Sequence, residues 1–239
     1  SPISSSVCTS TIIKYMDKNL ALNADGKEKA IVYFEGLQCA EQIPLKRLRE
    51  YVTEEANPSN RKRVHSVEVF GDFPDWSKAV TIIDSPGQNS TFGHHDILLT
   101  DFLPYTDSII FLVAADIPLD GGDIALLKEL NEDQKRKIFF VLTKVDALDN
   151  PDDLPDVVDF VKGKIQGIGY PYDKLYTISA KPVFEALKHG IRGCEIDNLK
   201  AAHGLLELEE DLEKFIVAES EQTKVLSSRI KMLLEKTRS

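Results

Sequence analysis

Four short runs of almost uninterrupted apolar residues, separated by helical patterns, constrain the fold of this chain most. They are Ala79-Val80-Thr81-Ile82-Ile83, Ser108 to Ala114, Lys137 to Thr143 and Lys174 to Ile178. A strand that alternates apolar and polar residues has one wet face, whereas a strand apolar throughout is covered on both. Between the runs, about Ile97 to Leu103, Gly122 to Asn131 and Asp153 to Ile168 carry helical spacing. The arrangement predicts an α/β fold, a mostly parallel sheet with helices on both faces. Upstream, Thr11 to Tyr15 and Ala30 to Phe34 are short apolar runs around the turn residues Asn23 to Lys27, a pattern for a hairpin or two adjacent strands. Leu45, Leu48, Tyr51 and Val52 predict a helix within Pro44 to Ala56, and Val64 to Phe70 alternates like an edge or half-buried strand.

From Gly204 the pattern changes. Leu205, Leu208, Leu212, Phe215 and Ile216 predict a helix packed on the sheet. After the polar patch Glu219 to Gln222, residues Val225, Ile230, Leu233 and Leu234 predict a second amphipathic helix with no sheet left to cover, a C-terminal helical extension. With 239 residues, 42% of them hydrophobic, the chain can bury a sizeable core. No run reaches the roughly 18 apolar residues of a membrane span, and no basic region followed by an apolar stretch marks a secretory signal. A net charge of -10 argues against nucleic acid as a partner. Three cysteines (Cys8, Cys39 and Cys194) without metal spacing point to a reducing compartment and buried or inert thiols. A cytoplasmic location, peripheral at a membrane if near one, is the expectation.

Three motifs fall at carboxyl ends of the strands, where open α/β sheets bind ligands. Asp84-Ser85-Pro86-Gly87 follows the first run. A carboxylate there can hold Mg²⁺ through water, because that ion keeps much of its hydration shell. Gly87 can bring a backbone N–H close to a phosphate oxygen. Taken alone, the tetrapeptide is equally a strand-ending turn. Thr143-Lys144-Val145-Asp146 follows the third run. A fixed carboxylate at Asp146 can accept from the N1–H and exocyclic amine of guanine, a donor pair that adenine lacks. The stem of Lys144 can lie along the base plane. Ser179-Ala180-Lys181 ends the fourth run, with small residues that let backbone amides approach a base. The order and placement of the three are those of a GTPase.

The stretch Asp84 to Ser90, His94-His95 and Thr100-Asp101-Phe102-Leu103 resembles the dynamin superfamily, especially its bacterial dynamin-like branch. Tyr105 to Phe111, Asp116-Ile117-Pro118-Leu119 and Leu48 to Glu55 add to the resemblance, which covers roughly residues 2 to 217. It implies a P-loop NTPase fold that binds GTP or GDP with Mg²⁺ and hydrolyses GTP. In the segment Val7 to Ile13, Thr9 aligns best with the residue that holds Mg²⁺ and places the attacking water, with Ser10 and Thr11 as close alternatives. Asp84 then acts through the metal's water, Gly87 senses the γ-phosphate, and Thr143, Lys144, Asp146, Ser179, Ala180 and Lys181 hold guanine. The resemblance also implies self-association of GTPase domains and remodelling of membrane lipids through regions outside this sequence.

No Gly-x-x-x-x-Gly-Lys-Ser/Thr run occurs in the 239 residues. That loop neutralises the β- and γ-phosphates, so the chain alone is expected to be inactive or weak. The expectation is a dynamin-type GTPase domain over residues 1–217 lacking its first strand, loop and helix, and the start of a bundle or neck over 218–239. The rival reading is a nucleotide-independent pseudo-GTPase module for protein–protein assembly. A translation- or ribosome-type small GTPase fits less well, given the long insertion between Thr11 and Val80 and the helical tail.

Overall fold

The computed structural model describes residues 11–20, 27–37, 39–73, 77–85, 103–132, 137–170 and 174–236. The chain divides into two units, Ser1–Tyr105 and Thr106–Ser239.

In the first unit, β1 (Ile12–Asp17), β2 (Lys29–Phe34), β3 (Ala40–Ile43), β4 (Val64–Gly71) and β5 (Ile82–Asp84) form one sheet in the order β3-β2-β4-β1-β5. It is mixed rather than mostly parallel: β1 and β4 are parallel, while β2–β3, β2–β4 and β1–β5 are antiparallel. The short connection from β2 to β3 cannot hold the dozen or more residues of a parallel crossover. The two upstream apolar runs share this sheet but are not neighbours, because β4 lies between them. That makes β4 an interior strand rather than an edge, with Val64, Ser66, Val67, Val69 and Phe70 buried. Its Glu68 accepts a 2.8 Å hydrogen bond from the Tyr33 hydroxyl and pairs with Lys14 at 3.7 Å.

The core of this unit joins Ile13, Ala30, Val32 and Ile43 to Tyr51 and Val52. The helix expected over Pro44 to Ala56 is much shorter, α1 (Arg49–Val52) after a 3-10 turn at Leu45–Arg47. Thr53 ends it in extended conformation, its hydroxyl donating to the Arg49 carbonyl at 2.9 Å. A β-branched residue that satisfies a helical carbonyl with its side chain favours such a stop. The run expected as a buried strand over Ala79 to Ile83 is a short edge strand instead, with Ala79, Thr81 and Ile82 exposed.

The second unit matches its pattern more closely. Strands β6 (Ser108–Ala114), β7 (Lys137–Thr143) and β8 (Leu175–Thr177) form a parallel sheet in that order. Helix α2 (Gly121–Glu132) joins β6 to β7, and α3 (Leu154–Gly167) joins β7 to β8. Then come α4 (Ala180–Lys188), α5 (Cys194–Ala202) and α6 (Leu205–Lys236). The central strand β7 is buried from Ile138 to Leu142. Phe139 and Val141, with Tyr176 and Ile178, receive Leu205, Leu208, Leu212 and Phe215 of α6. Phe140 points to the other face, where Tyr170 beyond the end of α3 meets it edge-on at 5.6 Å.

Three expectations change in this unit. Ile110 and Leu112 of β6, which among the described residues pairs with β7 alone, lie in register with Phe139 and Val141, yet they are 42% and 60% exposed. The apolar face therefore continues bare onto β6, which was expected to be covered on both sides. The two C-terminal helices expected are one continuous helix of 32 residues. Glu219 to Gln222 are polar but contain no Gly or Pro, and polarity alone does not break a helix. Finally, Cys39 and Cys194 are exposed rather than buried, and Cys8 lies outside the described residues. Among the described residues, no helix is long and apolar enough to cross a membrane.

An ion cluster fixes the root of α6. Asp211 accepts hydrogen bonds from Lys174 (2.9 Å), Lys214 (3.0 Å) and the Tyr176 hydroxyl (2.8 Å). These three donors hold its carboxyl well below the ordinary carboxylate range. Burial opposes the charge of Lys174, but Asp211 and Glu207 outweigh it and keep the amine protonated above the usual lysine range. Burial and Asp211 push the Tyr176 hydroxyl up to about 12. A depressed carboxyl contributes stability that is present above its unfolded value and is lost as pH falls toward the folded one. Asp211→Asn should therefore lower stability by about 1–2 kcal/mol at neutral pH, a modest figure because the side chain keeps some water contact. The gap from wild type should close in thermal melts as pH falls below about 4. A gap that is unchanged across that range would remove Asp211 from the account.

Candidate functional site

Two of the three motif loops share one end of the parallel sheet. Leu142 pairs with Thr177, and Ala114 with Thr143, so β7 and β8 deliver their next residues side by side. The ladder extends past the strands: Ala115 N–H donates to the Thr143 carbonyl at 2.9 Å, and Ile178 N–H to the Leu142 carbonyl at 2.8 Å. Thr143-Lys144-Val145-Asp146 and Ser179-Ala180-Lys181 therefore stand next to each other at the carboxyl edge, where this architecture binds ligands.

The local backbone turns the first loop sharply. Lys144 adopts a left-handed conformation (φ 58°, ψ 32°) and starts a single 3-10 turn over Val145–Ala147, closed by Ala147 N–H to the Lys144 carbonyl at 2.9 Å. A non-glycine residue held there costs on the order of 1 kcal/mol, and such cost concentrates at functional sites. Lys144 and Asp146 are exposed while Thr143 is half-buried. Among the described residues, neither the Lys144 nor the Asp146 side chain has a hydrogen-bond or ion-pair partner. The carboxylate is thus available to accept from a ligand.

The second loop is anchored from behind. Ser179 is buried and starts α4, and its N–H donates to the His203 carbonyl at 3.1 Å. Its side chain makes no capping hydrogen bond. Ala180 and Lys181 are exposed. The arrangement presents a small-residue backbone edge beside a free carboxylate, which suits a planar base with two donors and an acceptor.

Asp84 belongs to the first unit, at the end of β5. It is half-buried, and burial raises its carboxyl above the ordinary value. A hydrated Mg²⁺ suits a lone carboxylate of this kind, because its other ligands are water and phosphate. Among the described residues no group of three or more His, Cys, Asp or Glu forms a protein-only metal cage. Nearby, Tyr15 carries the one buried side-chain polar atom without a partner among the described residues, and its hydroxyl is pushed up to about 12 by burial and by Asp84.

Thr9, Ser10 and Gly87 lie outside the described residues. Thr11 is described, and its hydroxyl is engaged: it is fully buried, donating toward the Val64 (3.2 Å) and His65 (3.4 Å) carbonyls. A hydroxyl locked into the sheet in this way is not free for a metal or a water. The part of the site that motif reading missed is the support behind Ser179, since His203 belongs to no nucleotide motif.

A family profile described as "Dynamin family" matches residues 1–145. Dynamin-like protein A of Bacillus subtilis (strain 168) is 26% identical over 185 residues, covering 71% of this chain and 15% of that relative. An uncharacterized protein from the xynA 3′ region of Caldicellulosiruptor sp. (strain Rt8B.4) is 30% identical over 145 residues, 60% of this chain and 36% of that protein. A solved chain of an oligomerised bacterial dynamin pair, described as a mechanism for long-range sensing and tethering of membranes, superposes with a TM-score of 0.70. It shares 17% identity and covers 95% of this chain and 43% of its own length, a likeness of fold. The chain thus spans less than half of each of these proteins.

Proposed function

Since the chain belongs to the dynamin family, we propose that it is a GTPase domain that binds GTP and GDP with Mg²⁺ and hydrolyses GTP. The observation that carries this reading is the side-by-side placement of the two base-reading loops at the ends of β7 and β8. Asp146 accepts from guanine N1–H and the exocyclic amine, the stem of Lys144 lies along the base, and amides of the Ser179–Lys181 loop approach its oxygen. Mg²⁺, when bound, supplies positive charge to the phosphates. Asp84 and Thr9 are the residues that would hold it, and Thr9 would also orient the attacking water. Gly87 offers its amide to the γ-phosphate. The engagement of Thr11 supports leaving that role to Thr9, with Ser10 as its neighbour.

The phosphate-binding loop comes, on this reading, from outside residues 1–239. The edge strand β6 supports it: among the described residues it pairs with β7 alone, and its Ile110 and Leu112 are exposed. A further strand and helix would cover such an edge and face. In the parent protein, residues 1–217 form the GTPase domain and residues 218–239 begin the helical region through which hydrolysis is coupled to membrane remodelling. The solved relative is an oligomerised pair, which supports self-association here. Lipids are contacted through other regions, at a cytoplasmic membrane surface.

A titration of fluorescent GTP analogue with Mg²⁺ tests this, using residues 1–239 and a longer product of the same gene that includes preceding residues. The longer chain should bind about a hundredfold or more tightly, the scale of several charge-assisted hydrogen bonds. If neither binds, the GTPase reading is withdrawn in favour of an assembly module.

A further inference from the structure

The joint between α5 and α6 sits directly behind the Ser179–Lys181 loop. His203 accepts the Ser179 N–H at 3.1 Å, and its own N–H donates to the Leu199 carbonyl at 3.0 Å. Gly204 follows with φ +74° and no room for a side chain. A Cβ there would stand 2.1 Å from the Thr177 carbonyl oxygen, 3.2 Å from its carbon and 3.5 Å from Ile178 Cγ2. The backbone of the joint is therefore pressed against the last residues of β8, two positions before the loop. Leu205 begins α6 immediately afterwards, and Leu205 is shared by two apolar clusters. One of those clusters packs on β7 and β8, and the other holds Val183 and Ala186 of α4 together with Ile196 of α5.

The geometry points to His203 and Gly204 as positioning residues for base recognition: they set where the backbone amides of Ser179, Ala180 and Lys181 stand. The inference rests on the guanine-reading role proposed for those three residues and adds what fixes their placement. The physical argument is one of close approach. Adding a methyl at Gly204 forces the joint and Thr177 apart by at least an ångström or so, because the obstacle is a backbone carbonyl rather than a flexible side chain. The 3.1 Å bond from Ser179 then lengthens beyond hydrogen-bond range, and the loop loses its support. Residues that act by holding others within a fraction of an ångström are felt at the ligand although they never touch it.

The test uses the full-length protein and N-methylanthraniloyl-GDP with Mg²⁺. Gly204→Ala should weaken binding about tenfold or more, through faster dissociation, the scale of one or two lost hydrogen bonds. Gly190→Ala is the matched control, since Gly190 also has a left-handed φ (+84°) but an added Cβ meets nothing within 4 Å. It should bind within about twofold of wild type, as a surface change usually does. Asp211→Asn loosens the root of α6 without touching the loop, and should lower the melting temperature while leaving affinity near wild type. Affinity losses that track melting temperature across all three variants would make the joint merely structural and overturn the inference, as would unchanged affinity in Gly204→Ala. Should Gly204→Ala not fold, hydrogen exchange of wild type decides. Adding the GDP analogue should protect the Ser179 and Gly204 amides together, and protection of the loop without the joint overturns the inference. An Asp146→Asn variant with altered base preference shows that the guanine reading survives such a failure. If wild type binds no guanine nucleotide, both fall together.

Discussion

Replacing Asp146 by asparagine should shift the base preference proposed for the parent protein from guanine to xanthine. The carboxylate offers two acceptors to two donors of guanine, the N1–H and the exocyclic amine. Asparagine keeps one acceptor and turns an amide N–H toward that amine, so donor meets donor. One hydrogen bond to a charged group, about 1.5–3 kcal/mol, is lost and the other becomes a weaker neutral one, which weakens GTP roughly 10²- to 10³-fold. Xanthine carries an oxygen where guanine carries the amine, so it restores a complementary pair with the amide. Asp146 is exposed and, among the described residues, without a partner. The fold should therefore tolerate the change within about 0.5 kcal/mol. Competition between GTP and XTP for the same fluorescent nucleotide measures the shift. Guanine selectivity that survives the substitution sinks the assignment of Asp146.

What the sequence allowed to be read differs sharply between the two units, and the reason is connection chemistry. In the second unit, β6 and β7 are long apolar runs, each followed by a helix of 12 or 14 residues, and a parallel sheet is what such spacing permits. Strands β6 and β7 begin and end where their apolar runs do. In the first unit the connections range from the short link between β2 and β3 to the long segment between β3 and β4, with no regular strand–helix alternation among the described residues, so several pairings are compatible with the same pattern. Nothing local says that Val64 to Gly71 inserts between the two earlier strands. Its burial comes from neighbours on both sides, a tertiary effect that outranks the alternation of its side chains.

The candidate site was legible to the extent that its residues are contiguous. Thr143 to Asp146 and Ser179 to Lys181 are short motifs at strand ends, and strand order alone brings them together. Their support was not legible. The carbonyl of His203 acts through its backbone, so any residue type there would look the same in sequence. Gly204 reads as an ordinary helix boundary, because glycine is common there for its left-handed φ. Only the clash that an added Cβ would make with the Thr177 carbonyl oxygen separates a steric requirement from a conformational preference. The exposed face of β6 was illegible for a related reason: an apolar run announces that something covers it, not which segment does so.

Phe139→Ala should be among the most damaging single changes to the second unit. The ring is 3% exposed, stacks edge-on against Phe215 at 5.7 Å and lies 6.3 Å from Tyr176. It is the point where β7 and β8 take the apolar stripe of α6. Truncating a buried phenylalanine costs about 3–5 kcal/mol, transfer and cavity terms together. Part of that loss is aromatic geometry, because the Phe215 edge then has no ring face to meet. Ile110→Ala provides the contrast on the same face and in direct register. Ile110 is 42% exposed, so its truncation leaves no enclosed cavity and should cost about 1 kcal/mol or less. The readout is amide exchange along α6 from Leu205 to Ile216, together with urea unfolding followed by circular dichroism. In Phe139→Ala, protection of those amides should fall roughly 10²- to 10³-fold, since α6 holds to the sheet through this contact more than through its own helicity. If the two variants lose protection equally, α6 is held by its ion cluster at Asp211 and the aromatic seat is secondary.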